Sequence, residues 1–149
     1  MGTYRQIYLH LVFGTKYREP TILEEHEKEL YKYIWGIVEG HQCKLYRING
    51  MPDHIHIFSD LHPSVSIDNY VKDIKIASNK WMKESGLFPD FKAWQSGYGA
   101  FTIHHSRKDS LIEYIINQKE HHKVETFEAE YQRLLIEHGI RFRPEFLFD

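Results

Sequence analysis

The sequence predicts an α+β protein built on one antiparallel sheet, with two helices on one face and further helices at the C-terminal end. Its 149 residues correspond to about one domain. Segments with alternating apolar and polar residues indicate strands, and segments with apolar residues every three or four positions indicate helices. These segments follow one another in the order β-α-β-β-α-β, after which two more helical segments complete the chain.

The first strand and helix are predicted near the N-terminus. Residues Tyr4 to Phe13 alternate in polarity, which is typical of a half-buried strand. Thr21 followed by Glu24 has the spacing of a capping box, so we expect the first helix to begin there and to end near Gly40.

Two short strands are predicted next, Lys44 to Ile48 and His54 to Phe58. The residues between them, Asn49 to Asp53, include Asn, Gly, Pro and Asp, which favour turns. We therefore expect the two strands to pair antiparallel as a hairpin.

A second amphipathic helix follows Pro63 and is closed by Gly86. Residues Ala93 to Ile103 then predict a further strand, in which Gly97 and Gly99 mark a bulge or a close approach of backbone. The first six elements therefore match the split β-α-β arrangement, which is the ferredoxin-like or RRM-like topology.

Two C-terminal helices complete the predicted domain. Ser110 with Glu113 predicts the start of a third helix, and residues Phe127 to His138 predict a fourth, ended by Gly139. No linker or repeat interrupts the chain, so we expect residues 1–149 to form a single domain to which helices at about 109–139 are appended.

Composition excludes several classes of protein. Hydrophobic residues at 42% and charged residues at 27% are typical of a globular protein rather than a disordered one. No apolar stretch approaches the roughly 20 residues of a membrane span. The N-terminus carries no signal-peptide pattern, and the lone Cys43 excludes an intrachain disulfide, so we expect a cytoplasmic protein with no membrane partner.

Histidine is the unusual residue of this composition, with 11 copies. His54 and His56 alternate within a predicted strand, so both imidazoles lie on one face. Two adjacent imidazoles provide half of a metal site at the rim of the sheet. Surface or hydrogen-bonded histidines are the alternative interpretation of this pair.

Tyr114 and Gln118 lie four residues apart on the predicted third helix and therefore share one side of it. A tyrosine hydroxyl can attack a phosphodiester, and a glutamine carbonyl can bind a metal ion. With His54 and His56, Gln118 would leave open positions on a divalent ion that polarises a phosphate. A tyrosine at the edge of the core is the alternative for Tyr114.

The sequence resembles the single-tyrosine transposases of small bacterial insertion sequences, which are members of the HUH endonuclease superfamily. The resemblance rests on Met51 to Ile57 (MPDHIHI) followed by Tyr114 to Gln118 (YIINQ). It extends along nearly the whole chain, through Leu9 to Phe13, Thr15 to Arg18, Lys75, Ser78, Trp94, Gly97, Tyr98, Phe101 and Thr102.

The resemblance implies a site and a reaction. His54 and His56 match the two metal-binding histidines, Gln118 matches the third ligand, and Tyr114 matches the nucleophile. Such enzymes use Mg²⁺ or Mn²⁺ to cleave single-stranded DNA, leaving a 5′-phosphotyrosine and a free 3′-hydroxyl, and they rejoin new ends by reversal. The family also implies recognition of DNA hairpins and a homodimer whose active sites combine residues of both subunits.

Contacts to DNA have to come from local patches, because the net charge is −2. The candidates are basic residues next to predicted strands and helices: Lys16, Arg18, Lys72, Lys75 and Arg107. A solvated helix face is the alternative for each lysine. The acidic stretches Glu24 to Glu29 and Glu125 to Glu130 are expected to face away from DNA.

Other functions remain open at this point. A histidine-triad nucleotide hydrolase also uses alternating histidines, but Phe58 occupies its third position here. Plasmid relaxases and rolling-circle initiators share the chemistry on longer chains. A domesticated relative that processes repeated chromosomal hairpins would use the same residues, and in a hairpin-binding protein without catalysis Tyr114 would be only structural. No general base is identified: His121 and His122 could reach the face of Gln118, but we expect them to be solvent-exposed helix residues.

Overall fold

The computed structural model describes residues 1–149 and has the predicted topology. A four-stranded antiparallel sheet in the order β2-β3-β1-β4 is accompanied by five α-helices. The strands are β1 (Tyr8–Gly14), β2 (Leu45–Met51), β3 (His54–Asp60) and β4 (Gly99–Thr102). The helices are α1 (Glu27–Gly40), α2 (Ile67–Ser85), α3 (Lys108–Ile116), α4 (Gln118–His121) and α5 (Phe127–Glu137).

Helices α1 and α2 cover one face of the sheet, as predicted. Leu11 of β1 and Ile57 of β3 are paired in register, and both point into the main core. There they meet Ile34 of α1 and Ile74 of α2, all completely buried. This layer holds β1 and β3 rigidly at the centre of the sheet.

The opposite face of the sheet is covered as well. Val12 of β1 packs in a second core with Phe127, Tyr131 and Leu134 of α5. The prediction of a half-buried first strand is therefore wrong, because every residue of β1 is buried. The alternation in this strand therefore does not distinguish a covered face from a solvent-exposed one. It distinguishes an apolar covered face from a covered face that also holds polar side chains.

The predicted helix starts differ from the observed ones. Thr21 is buried and its hydroxyl donates to the Glu19 carbonyl instead of accepting from an N–H at a helix N-terminus, and α1 begins only at Glu27. Helix α3 begins at Lys108, and the Ser110 hydroxyl donates back to the Arg107 carbonyl. Neither predicted capping box forms, because both side chains find acceptors among preceding residues.

The strand boundaries also shift. The first strand begins at Tyr8 rather than Tyr4, and the second and third strands extend to a turn of only two residues between Met51 and His54. The predicted strand 93–103 is reduced to β4.

The predicted close approach occurs at Gly99, where a Cβ atom would lie 2.7 Å from the Tyr131 ring. Gly86 and Gly139 end their helices with φ of 73° and 68°, in the left-handed region that favours glycine. No helix combines the length and the apolar character needed to span a membrane.

Candidate active site

The tyrosine and glutamine of the predicted site lie on two short helices rather than on one. Helix α3, which carries Tyr114, ends at Ile116, and Gln118 begins α4 after Asn117. Asn49 of β2 donates its side-chain N–H to the carbonyl of Ile116 at 3.2 Å, so it satisfies an otherwise free carbonyl at the end of α3. Both functional side chains still reach the same place.

His54 and His56 lie on the face of β3 that the C-terminal helices cover. Their rings are 5.1 Å apart between centroids, and both side chains are completely buried. The prediction that they share one face is correct. They are not open at the rim of the sheet, because Phe127 of α5 stacks on the His54 ring with centroids 4.0 Å apart.

Glu130 of α5 lies at the centre of the cluster. Its Oε1 atom is 3.1 Å from Nε2 of both His54 and His56, and 2.9 Å from Nε2 of His122. The Glu130 side chain is itself completely buried. A carboxylate thus occupies the middle of three imidazoles in the interior of the protein.

The second oxygen of Glu130 faces the other two residues of the predicted site. Oε2 accepts a hydrogen bond from Nε2 of Gln118 at 2.9 Å and another from the hydroxyl of Tyr114. One chain therefore brings together all four predicted residues, Tyr114, His54, His56 and Gln118, around a carboxylate.

Neither Glu130 nor His122 was predicted as part of the site, and the expectation of a solvent-exposed His122 is wrong, because its side chain is only 5% exposed. Glu130 was expected to face away from DNA because it ends an acidic stretch. It lies three residues after Phe127 and four before Leu134, which are both buried in the second core. This spacing on the apolar side of a helix was the available signal that Glu130 points inward.

Two further side chains orient the histidines. Nδ1 of His54 lies 2.7 Å from Oδ1 of Asp53, and Nδ1 of His56 lies 2.9 Å from Nε2 of His10. Metal-binding histidines ordinarily hydrogen-bond through the ring nitrogen that does not bind the metal. Both Nε2 atoms are consequently directed at the Glu130 oxygen.

Tyr114 is held by charged groups on α5. An N–H of Arg133 donates to the Tyr114 hydroxyl at 2.8 Å, and Arg133 is fixed by Glu125 at 3.0 Å. Burial and the nearby Glu130 carboxylate raise the pKa of Tyr114, although Arg133 opposes this. The phenol is therefore protonated in this arrangement.

The ionisation of the cluster follows from its contacts. Burial opposes ionisation of Glu130, but His56 and the other surrounding imidazoles hold the pKa of this carboxyl well below its usual range. Burial also lowers the pKa of His56. For His54, the carboxylates of Asp53 and Glu130 outweigh burial and raise the pKa. The cluster thus contains a carboxylate anion that needs positive charge beside it.

A cavity of about 590 Å³ opens next to Tyr114, between α3, α5 and the end of β4. Its walls include the cationic side chains of Arg107 and Arg133, with His104 and His138. This is a route by which a negatively charged chain could approach the tyrosine from solvent.

Two of the five predicted DNA-contacting residues already have protein partners. The Lys75 ammonium donates to the carbonyls of Gln95 and Gly97, both at 2.7 Å, and burial lowers its pKa to about 8. Arg18 forms an ion pair with Glu128 at 3.1 Å. These contacts connect segments of the protein to one another.

The other three candidates lie in different places. Lys16 is half-buried just after β1, and Lys72 is exposed on α2, which covers the sheet face opposite to the histidines. Only Arg107 lines the cavity beside Tyr114. The five residues therefore do not form one continuous patch.

Comparison with known proteins agrees with the family resemblance that the sequence motifs indicate. A family model described as "Transposase IS200 like" matches residues 3–118. The ISDra2 transposase TnpA of Deinococcus radiodurans is 25% identical over 124 residues, which cover 78% of this chain and 87% of that protein.

Solved structures show the same fold. A crystal structure from Deinococcus radiodurans assigned as a transposase superposes with a TM-score of 0.64 at 25% identity, covering 79% of this chain and 95% of that one. A REP-associated tyrosine transposase bound to a REP hairpin superposes with a TM-score of 0.58 at 16% identity, covering 100% and 93%.

The family match and the shared fold together assign the protein to the enzymes that act on DNA. The chain belongs to the IS200-like transposase family, and it is a DNA transposase. The predicted family resemblance and the predicted fold class are both confirmed.

Proposed function

We propose that this transposase cleaves and rejoins single-stranded DNA next to hairpins, with Tyr114 as the nucleophile and a divalent metal ion as cofactor. The proposal rests on one observation: Tyr114, His54 and His56 of a single chain all contact the carboxylate of Glu130. The Tyr114 hydroxyl is thereby placed beside the two imidazoles that are suited to a metal ion.

The residues present fit a divalent ion. Nε2 of His54 and Oε1 of Gln118 are 3.2 Å apart, and Nε2 of His56 lies in the same cluster. Imidazole nitrogens are ligands of divalent transition metals, and an amide oxygen suits Mn²⁺ and Mg²⁺. When bound, the ion would act as a Lewis acid toward a phosphate oxygen. His54, His56 and Gln118 are the residues that we propose to hold it.

Tyr114 supplies the covalent chemistry. Its phenol oxygen forms a bond to the phosphorus while the bond from phosphorus to the 3′-oxygen breaks. The phenol proton is released and the leaving oxygen takes up a proton, so the products are a 5′-phosphotyrosine and a free 3′-hydroxyl. The energy of the phosphodiester is retained in the tyrosine ester, and attack by another 3′-hydroxyl rejoins DNA.

A neighbouring cation suits a DNA backbone. Arg107 is exposed beside the cavity that Tyr114 lines, and guanidinium groups bind phosphate through paired hydrogen bonds. The REP-associated relative is described as bound to a hairpin. Both points support DNA hairpins as the substrate of this protein.

One chain supplies the complete residue set of the proposed site. The family resemblance predicts a homodimer with shared active sites, and dimerisation stays a prediction. We propose residues 1–149 as a single catalytic domain, because α5 contributes to the second core as well as to the site. The C-terminal helices are then integral to the sheet rather than appended to it.

Incubation with hairpin-bearing single-stranded DNA from the flanks of its own gene tests the proposal. We expect a covalent protein–DNA adduct on denaturing gels in the presence of Mn²⁺ or Mg²⁺ and none in the presence of a chelator. Hairpin binding without any adduct would instead assign the protein as a non-catalytic binder. Repeated chromosomal hairpins as the preferred substrate would assign it as a domesticated processing enzyme.

A further inference from the structure

The buried cluster offers more metal-binding groups than the predicted His54, His56 and Gln118. One ligand atom from each of four residues lies within 4.8 Å of the other three: His54, His56, His122 and Glu130. Two of these residues follow residue 118, so they lie outside the segment that matches the family model.

The ring nitrogens that face the cluster converge on one carboxylate oxygen. Nδ1 of His54 is held by Asp53 at 2.7 Å, which directs Nε2 at Glu130 Oε1 at 3.1 Å and at Gln118 Oε1 at 3.2 Å. Nε2 of His56 and Nε2 of His122 lie 3.1 Å and 2.9 Å from the same Glu130 oxygen. Separations of about 3 Å are those of neighbouring ligand atoms around one ion with metal–ligand distances of about 2 Å.

Gln118 has a second role in this geometry. Its amide N–H donates to Oε2 of Glu130 at 2.9 Å, whereas Oε1 of Glu130 faces the three imidazoles. Ligating carboxylates are typically oriented by such outer hydrogen bonds. Gln118 is thus placed to hold the Glu130 carboxylate in position, while its own oxygen lies 3.2 Å from Nε2 of His54.

A neighbouring group of His121, Glu125 and Glu130 is less suited to a cation. The Arg133 guanidinium lies 3.0 Å from Glu125 and 3.3 Å from Nε2 of His121. Its positive charge already neutralises Glu125 and would repel a second cation. The metal position is therefore on the side of Glu130 that faces His54.

We propose that His122 and Glu130 join His54 and His56 as ligands of one ion, and that this nitrogen-rich set selects a transition metal such as Mn²⁺ over Mg²⁺. Mg²⁺ prefers oxygen ligands and retains its water, whereas imidazole suits transition metals. The proposal rests on the metal requirement of the proposed function and gives C-terminal residues a direct part in it.

Isothermal titration of the full-length protein with Mn²⁺ and with Mg²⁺, in the absence of DNA, tests the proposal. We expect Mn²⁺ to bind at least about tenfold more tightly than Mg²⁺. Glu130→Gln and His122→Asn should each weaken Mn²⁺ binding by about tenfold or more. Glu128→Gln, the same change on the exposed side of α5, is the matched control and should leave Mn²⁺ affinity unchanged.

Absorption spectra of the Co²⁺-loaded protein give a second measurement, because the visible bands report the ligands. We expect Glu130→Gln and His122→Asn to change these bands, with circular dichroism showing that each variant is folded. Folded Glu130→Gln and His122→Asn proteins with wild-type Mn²⁺ affinity and unchanged Co²⁺ spectra would overturn the ligand assignment, and equal affinity for Mg²⁺ and Mn²⁺ would overturn the selectivity. Failure of the proposed function is seen separately, as the lack of a Tyr114 adduct in a protein that binds metal.

Discussion

The hydroxyl of Tyr114 donates a hydrogen bond to the carboxylate of Glu130, which joins the C-terminal helix α5 directly to the proposed nucleophile. The same carboxylate contacts the imidazoles of His54 and His56 on the central strand β3. Tyr114, the Glu130 carboxylate and the two histidines therefore form one connected unit. Changes on α5 should alter the chemistry at Tyr114 even though α5 follows the segment that defines the family.

Replacement Tyr114→Phe should abolish the covalent adduct with hairpin DNA, because it removes the only oxygen of this side chain that can form the ester. The ring remains in place, so hairpin binding measured by fluorescence anisotropy should change little. A covalent adduct of undiminished yield in this variant would show that another residue is the nucleophile.

Replacement Arg133→Gln should slow cleavage by roughly 10²-fold, because it removes the N–H group that contacts the Tyr114 oxygen at 2.8 Å. The measurement is the single-turnover rate of adduct formation at saturating DNA. Mn²⁺ affinity should stay at the wild-type value, since Arg133 lies outside the proposed ligand set. A parallel loss of metal binding would indicate a purely structural role for Arg133.

Replacement Asp53→Asn should weaken Mn²⁺ binding by about 10- to 100-fold, the usual effect of losing the partner of a ligating histidine. Asp53 accepts the Nδ1 proton of His54 at 2.7 Å and thereby fixes which nitrogen faces the cluster. Titration calorimetry measures the change. Asp90→Asn, at an exposed position, is the control, and an equal effect of both replacements would contradict the prediction.

His41 should make the stability of the protein depend on pH. Hydrogen bonds to the Ile37 carbonyl at 2.9 Å and to Asp73 at 2.8 Å raise the pKa of His41. A raised pKa in the folded state stabilises the protein fully below the unfolded pKa of about 6.5, and this contribution is lost as the pH rises through the folded pKa.

Thermal melts of the wild type and the His41→Gln variant measure this contribution. The difference in melting temperature should be largest below about pH 6 and should shrink at higher pH. Asp73→Asn should show the same trend, and the double variant should lose little more than either single variant. A difference independent of pH would show that protonation of His41 is not involved.

Replacement of two different glycines by alanine should change the stability of the protein in opposite directions. A Cβ atom on Gly50 would lie 2.2 Å from the His54 carbonyl oxygen and 2.9 Å from a neighbouring Cα atom, so β2 and β3 would have to separate. Gly50→Ala should lower the free energy of unfolding by about 1–3 kcal/mol or more. Gly36 is exposed on α1 with open space around it, and Gly36→Ala should raise that free energy by about 1 kcal/mol. Urea unfolding distinguishes the two outcomes.

The sequence predicted the features that depend on local periodicity. Alternation and three-to-four spacing located the elements, and the one-residue separation of His54 and His56 placed both rings on one face. The covered second face of the sheet was not predictable in this way, since it depends on α5 returning to β1 from more than a hundred residues away.

Glu130 shows why part of the site was missed. Its charge alone indicates a solvent-facing residue, and only its helical spacing from Phe127 and Leu134 indicates that it lies on the side of α5 that packs against the sheet. The break in the helix between Tyr114 and Gln118 was missed for a similar reason. It involves the distant strand β2, where the side chain of Asn49 donates a hydrogen bond to the last carbonyl of α3.

Because the turn between β2 and β3 has only two residues, the proposed active site is sensitive to a change of one residue in the register of β3. Asp53 in this turn also accepts the backbone N–H of Thr15 at 2.9 Å, which ties the turn to the end of β1. Because neighbouring side chains of a strand point in opposite directions, an insertion of one residue after Pro52 that shifted the pairing of β3 would exchange the places of Ile55 and His56. Such a chain would bury imidazoles in the aliphatic core and place isoleucines beside Glu130, so insertions at this turn should be eliminated in functional copies of the gene.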